Sequence, residues 1–181
     1  SFWLVLGADL GFDCSGCAAR LDDVFEDNDD CGSAAALTAP SFNSGLVVTK
    51  TDKDYYSIDI PAGMSLTANA LFSHGQADVD TILFNDDCTV VYDVGFSIDD
   101  NETVSYTNCG LSPITAKLEV SVFPGSIGDC SDYDLELLLT PLCSDDPLAG
   151  NDSCATAFPL STGLSVNLVV NCVAPADYYR L

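Results

Sequence analysis

An internal repeat constrains this chain more than any other feature. Asn28-Asp29-Asp30-Cys31 recurs as Asn151-Asp152-Ser153-Cys154, Leu37 as Leu160, and Asp54-Tyr55-Tyr56-Ser57-Ile58 as Asp177-Tyr178-Tyr179-Arg180-Leu181. Each match lies 123 positions on, from 28 to 151, from 37 to 160 and from 54 to 177. Self-similarity at one fixed offset is the mark of a chain built from successive copies of one structural unit. The run Phe2-Trp3-Leu4-Val5-Leu6 also resembles Tyr133-Asp134-Leu135-Glu136-Leu137, the last strand-like run before the second Asn-Asp-x-Cys. The expected organisation follows. Residues 1–24 hold the last strand of a preceding module and a Cys- and Asp-rich linker, 25–147 a complete module, and 148–181 the start of the next.

The net charge of −23 comes from 28 acidic and 5 basic residues. Only Glu26, Glu102, Glu119 and Glu136 are glutamates; the other acids are aspartates, short carboxylates that suit turns and calcium loops. Nucleic acid and anionic membranes need clustered Lys and Arg, so neither is an expected partner. With 48% hydrophobic residues the chain can bury a core in spite of its charge. There is no apolar run of membrane-spanning length, so no membrane insertion is expected. A basic segment leading into an apolar stretch is also missing, so no signal peptide is expected within the sequence.

Nine cysteines point to an oxidising, extracellular or cell-surface setting. Cys14, Cys17, Cys31, Cys88, Cys109, Cys130, Cys143, Cys154 and Cys172 are all disulfide candidates, and the odd count leaves at least one thiol with its partner elsewhere. Cys14-x-x-Cys17 could begin a zinc site, but no second such pair exists and His74 is the sole histidine.

Strand signals follow one another through 25–147. Tyr56, Ile58 and Ile60 alternate with polar residues, as do Leu66, Ala68, Ala70 and Phe72, then Val104 and Tyr106. Leu118, Val120 and Val122, and finally Tyr133, Leu135, Leu137 and Leu139, complete the series. Gly, Pro, Asn and Asp clusters separate them at the spacing of a sandwich or barrel. Only Cys17–Phe25 and Ser33–Leu37 look helix-like. The expected fold is all-β, an antiparallel, jelly-roll-like β-sandwich repeated in a tandem array.

The module opens with Glu26-Asp27-Asn28-Asp29, a small-residue run to Leu37, and Asp52-Lys53-Asp54-Tyr55-Tyr56-Ser57-Ile58. It continues through Pro61-Ala62-Gly63 and Asp78-Val79-Asp80-Thr81-Ile82-Leu83-Phe84 to the closing Tyr133-Asp134-Leu135-Glu136-Leu137. This series resembles the bacterial pre-peptidase C-terminal domain. The cysteines depart from the commonest form of that family. The resemblance implies a jelly-roll-like accessory module of secreted proteases and surface proteins, some of which bind calcium where the N-terminal linker meets the sheet. The implied ligands are Glu26, Asn28 and Asp29 with Asp52 or Asp54, and in the next module Asn151, Asp152 and Asp177. Ala149 and Gly150 stand where the first module has Glu26 and Asp27, which weakens the second site. Chemistry makes the same case independently, because Ca2+ takes six to eight oxygens at about 2.3–2.6 Å, several of them carboxylates. The competing role for Asn28 and Asp29 is to cap the turn before Cys31.

No catalytic constellation emerges. His74 lies in Ser73-His74-Gly75-Gln76, a turn, with no nucleophile motif nearby. The Asp78/Asp80 and Asp86/Asp87 pairs are not distinguished from the other acids as a glycosidase pair. Asn101-Glu102-Thr103 and Asn151-Asp152-Ser153 are N-x-[S/T] sequons; Asn101, in a loop, is the candidate for glycosylation. The leading expectation is a non-catalytic structural repeat of a secreted or cell-surface filament, stalk or adhesin. Calcium would stiffen its module junctions, and its partners would be copies of itself or neighbouring modules joined by strand sharing. The alternative is an accessory module of a secreted protease or other hydrolase that binds matrix or polysaccharide.

Overall fold

The computed structural model describes residues 23–142, 150–151, 154–160 and 178–180. Nine strands between Ala35 and Pro141 form two sheets packed face to face. The five-stranded sheet has the order β1 (Ala35–Leu37), β3 (Asp54–Ile60), β8 (Ile114–Val122), β5 (Val79–Asn85), β6 (Val91–Gly95). The four-stranded sheet runs β2 (Ser41–Thr49), β9 (Cys130–Pro141), β4 (Met64–Phe72), β7 (Glu102–Thr107). Every pairing in these sheets is antiparallel except β1 on β3. The all-β sandwich is as the alternation indicated.

The reason is the period of two. Tyr56, Ile58 and Ile60 on β3 share a buried face with Leu118 and Val120 on β8, and Leu66 on β4 with Leu135 and Leu137 on β9 faces them. The intervening residues point to solvent. Asp54 is the exception of consequence: it occupies the core-facing register of Tyr56 and is only 1% exposed.

One local expectation fails. Ser33–Leu37 is a turn followed by strand β1, not a helix, because Ala35, Ala36 and Leu37 pair in parallel with Tyr56, Ser57 and Ile58. Backbone pairing with the sheet edge overrides the helix preference of alanine. Residues 23–25 of the other helix-like stretch are coil and turn; its earlier part lies outside the described residues.

Chain entry and exit lie at opposite poles. The Tyr55 N–H donates to Asn28 O (2.8 Å) at the start of β3, whereas the Leu142 N–H donates to Gly63 O (2.9 Å) just past its end. The repeat offset also relates described geometry. Ala35 pairs with Tyr56, and 123 residues on, Phe158 of β10 (Phe158–Pro159) pairs in parallel with Tyr179 of β11 (Tyr179–Arg180). The Tyr178 N–H donates to Asn151 O at 2.8 Å, as Tyr55 does to Asn28.

Candidate metal centre

At the entry pole the linker crosses the sandwich and places acids on acids. Phe25 meets the buried Tyr56 ring edge to face, centroids 5.8 Å apart, which fixes the linker over the open end of the core. Asp23 ties it on the other side: its Oδ2 accepts the Val47 N–H of β2 (3.1 Å) and its Oδ1 the Phe25 N–H (2.9 Å). Val47 is thereby buried although it lies outside the main core cluster.

Between these anchors, carboxylate oxygens of Glu26, Asp29 and Asp52 all lie within 4.8 Å of one another. Asn28 is fully buried, its N–H donating to Glu26 Oε2 (3.3 Å) and its Nδ2 to Tyr55 O (3.3 Å). Three buried oxygens in this group have no hydrogen-bond partner: Glu26 Oε1, Asn28 Oδ1 and Asp54 Oδ1. The second oxygen of Asp54 accepts a hydrogen bond from the Tyr133 hydroxyl, which in turn lies 2.6 Å from the Tyr56 hydroxyl. That chain of hydroxyls joins the two sheets and fixes the Asp54 carboxyl from behind.

The electrostatics describe a site short of positive charge. Burial raises Asp54 to about 8, against the hydrogen bond from Tyr133, and the nearby Asp23, Glu26 and Asp52 raise it further. Burial likewise raises Glu26 to about 7, with Asp52, Asp23 and Asp29 adding to the shift and the Asn28 N–H opposing it. Unpartnered buried oxygens beside crowded carboxylates are the donor set a hard cation takes, so the residues present fit Ca2+.

The candidate ligands of the first set, Glu26, Asn28, Asp29, Asp52 and Asp54, converge on this one region. The turn before Cys31 is capped by Asp30, whose Oδ1 accepts from Gly32 N (2.7 Å) and Ser33 N (2.9 Å). Asn28 therefore has a different job from capping that turn. Asp23 was not foreseen, since nothing sets it apart from the other linker acids before its bond to Val47 is seen. In the second set Asn151 is buried like Asn28, but with Nδ2 as its unpartnered atom; Asp152 and Asp177 lie outside the described residues.

Cys31 and Cys88 form a disulfide, and Cys109 and Cys130 are also disulfide-bonded. Cys154 corrects its candidacy: it is free and exposed. Cys14, Cys17, Cys143 and Cys172 lie outside the described residues. Asn101 is exposed, its Oδ1 accepting from Phe72 N (2.9 Å). His74 sits in the turn after β4 with Nδ1 3.5 Å from Asp78 Oδ1, beside a cleft of about 480 Å³ under Phe123 and Ile127.

The fold is an all-β sandwich, and the site is a cluster of acids where the entry linker meets the sheets. No family model matches the chain, and no curated protein matches it. Among solved structures it is similar to the pre-peptidase C-terminal domain of collagenase from Bacillus anthracis, at 14% identity and TM-score 0.46, over 57% of this chain and 93% of that one. It is also similar to PliG, a periplasmic inhibitor of g-type lysozyme. The Aeromonas hydrophila form gives 14% identity and TM-score 0.42 over 58% of this chain and 97% of that one. The Salmonella Typhimurium form gives 16% and 0.36 over the same shares. At such identities the comparisons do not bear on what this chain binds.

Proposed function

We propose that the chain is a non-catalytic structural repeat of an extracellular filament, stalk or adhesin. Ca2+ held at the entry pole of each complete module fixes the linker to the sandwich. The observation that carries the calcium reading is the trio of buried, unpartnered oxygens on Glu26, Asn28 and Asp54 beside the clustered Glu26, Asp29 and Asp52 carboxylates. A bound cation would relieve their mutual repulsion and link Glu26, Asn28 and Asp29 of the linker to Asp52 and Asp54 of the sandwich. Support for the array comes from the 123-residue offset shared by sequence, strand register and the Asn28 and Asn151 hydrogen bonds, and from entry and exit at opposite poles. Disulfide bonding suits an oxidising compartment.

Calorimetric titration of the chelator-stripped chain with CaCl2 tests the site. Saturable binding is expected, with a rise in unfolding temperature that Asp54→Asn and Glu26→Gln abolish. Ligand at about 100 times Kd would add about 2.7 kcal/mol of stability. No saturable binding would sink the calcium reading. Electron microscopy of native material, with and without chelator, tests the array: an axial repeat near one module supports it, and discrete monomers in both conditions point to the accessory-module alternative.

A further inference from the structure

The apolar side chains most open to solvent stand at the two ends of the sandwich. Ile127, Val24, Leu111 and Ile98 are each at least 79% exposed. Segments 50–53, 73–78, 96–101 and 123–129 cross between the sheets at the entry pole. Ile98 lies in the third of these and Ile127 in the fourth, with Val24 in the linker beside Asp23. Leu111 lies at the exit pole, in the crossing 108–113 from β7 to β8. Exposed apolar groups gathered in this way mark a contact surface.

The two poles differ in shape. Leu111 is the tip of a knuckle braced by the buried Asn108. The Asn108 Nδ2 donates to Ile60 O and to Ser112 O, and its Oδ1 accepts from the Gly110 N–H, each at 2.9 Å. Crossings 73–78 and 123–129 instead enclose the cleft of about 480 Å³ lined by His74, Phe123 and Ile127. Its walls are tied together, because the Phe123 N–H donates to Asp78 O (2.7 Å) and the Asp78 N–H to Ser126 Oγ (2.9 Å). The Lys50 ammonium braces the second wall through Ser126 O at 2.8 Å. Within the cleft, His74 Nδ1 and Asp78 Oδ1 are buried with no hydrogen bond, and buried polar atoms of that kind call for a donor. The hydroxyl of Ser112, beside Leu111, is one.

We infer that the Leu111 knuckle of one copy docks in the cleft under Phe123 and Ile127 of the next, end to end. The identity of the partner rests on the repeat reading proposed above. Asn151, the counterpart of Asn28 in the entry pole, follows Leu142 of the exit pole by nine residues. Nine residues reach at most about 32 Å, less than the 12 residues of β9 span. So short a connection holds the two poles at an effective concentration of about a millimolar, at which a weak contact is enough. The contact is heterologous, knob to socket, and therefore propagates from copy to copy instead of closing into a pair.

Two variants of the full chain each keep one half of the contact. Leu111→Asp leaves the cleft intact and Ile127→Asp leaves the knuckle intact. Both side chains are exposed, and the amide spectrum of each free variant checks its fold. Isotope-labelled Leu111→Asp chain is titrated with unlabelled Ile127→Asp chain and followed by amide NMR, in CaCl2 and in chelator. Saturating shifts are expected at 73–78 and 123–128 in both media, with their loss when the labelled chain also carries Ile127→Asp. No shifts in either medium up to millimolar partner, or shifts centred on the sheet faces, overturn the docking. Shifts that grow when the Leu111→Asp chain alone is concentrated also overturn it, since the entry pole then pairs with itself. An axial repeat by electron microscopy without these shifts keeps the array and removes only this contact, so the two failures are distinguishable.

Discussion

Gly128 lies where a methyl group has no room: a Cβ there would come 1.7 Å from Gln76 O and 2.8 Å from Gln76 C. Backbone cannot swing aside as a side chain can, so Gly128→Ala should cost about 1–3 kcal/mol or more in urea unfolding. Gly125→Ala is the control, since its nearest contact, 2.5 Å, is the Phe123 ring, which is partly exposed and free to turn. Equal losses in the two variants would refute this account of the loop. Asp80 makes a prediction in pH. Burial first, then Asp78, Glu102 and Glu119, raise its carboxyl to about 6. A raised carboxyl keeps its proton longer when folded, so its contribution to stability is complete below the unfolded value near 3.8 and is lost as pH rises through about 6. Asp80→Asn should therefore gain stability over the parent at pH 8 and not at pH 4, in paired denaturant titrations. A gain of equal size at both values would exclude the electrostatic cause.

Strands at the edges of the four-stranded sheet are guarded by carboxylates. The outward N–H of Val47 on β2 goes to Asp23, and that of Ser105 on β7 goes to Asp93 Oδ2 of β6 (2.8 Å). Tyr92 and Tyr106 stack 3.8 Å apart beside the second guard and help close the seam between the sheets. An open edge invites another strand, so Asp93→Ala should lose about 1 kcal/mol and show concentration-dependent association in size-exclusion chromatography. A variant as monomeric as the parent would mean that β6 itself, without the carboxylate, protects the edge. The same scale shows what the sequence could reveal. β3, β4, β8 and β9 were legible because in each the buried apolar residues recur at every second position. β2 was not, because the register shifts between Asn43 and Leu46, where Gly45 takes φ 74°, and three apolar residues follow in a row. β1 was misread because its alanines report a local preference while its state is set by β3. In the candidate metal centre, Asp54 was reached through the family resemblance, as one of the acids of the Asp52–Ile58 run. Asp23 and the hydroxyl chain of Tyr133 and Tyr56 were not, since both depend on contacts across the sandwich.

A net charge of −23 on 181 residues makes the whole molecule repel itself, so any cation should stabilise it to some degree. This general effect has to be separated from binding at the entry pole. Sodium acts by screening, which shortens the reach of exposed charges to about 10 Å at 0.1 M salt and should raise the unfolding temperature gradually, without saturation. A built site behaves otherwise, saturating at a concentration too low to change ionic strength appreciably. Magnesium supplies the decisive comparison because it carries the same charge as calcium. It demands a small octahedral shell and gives up water reluctantly, whereas calcium accepts the irregular carboxylate and amide oxygens that Glu26, Asn28, Asp29, Asp52 and Asp54 can offer. At fixed ionic strength, calcium should raise the unfolding temperature well beyond equimolar magnesium, and Asp54→Asn should erase the difference while leaving the sodium response intact. If magnesium matches calcium in the parent, the stabilisation belongs to the surface as a whole, and the entry pole is only its most crowded part.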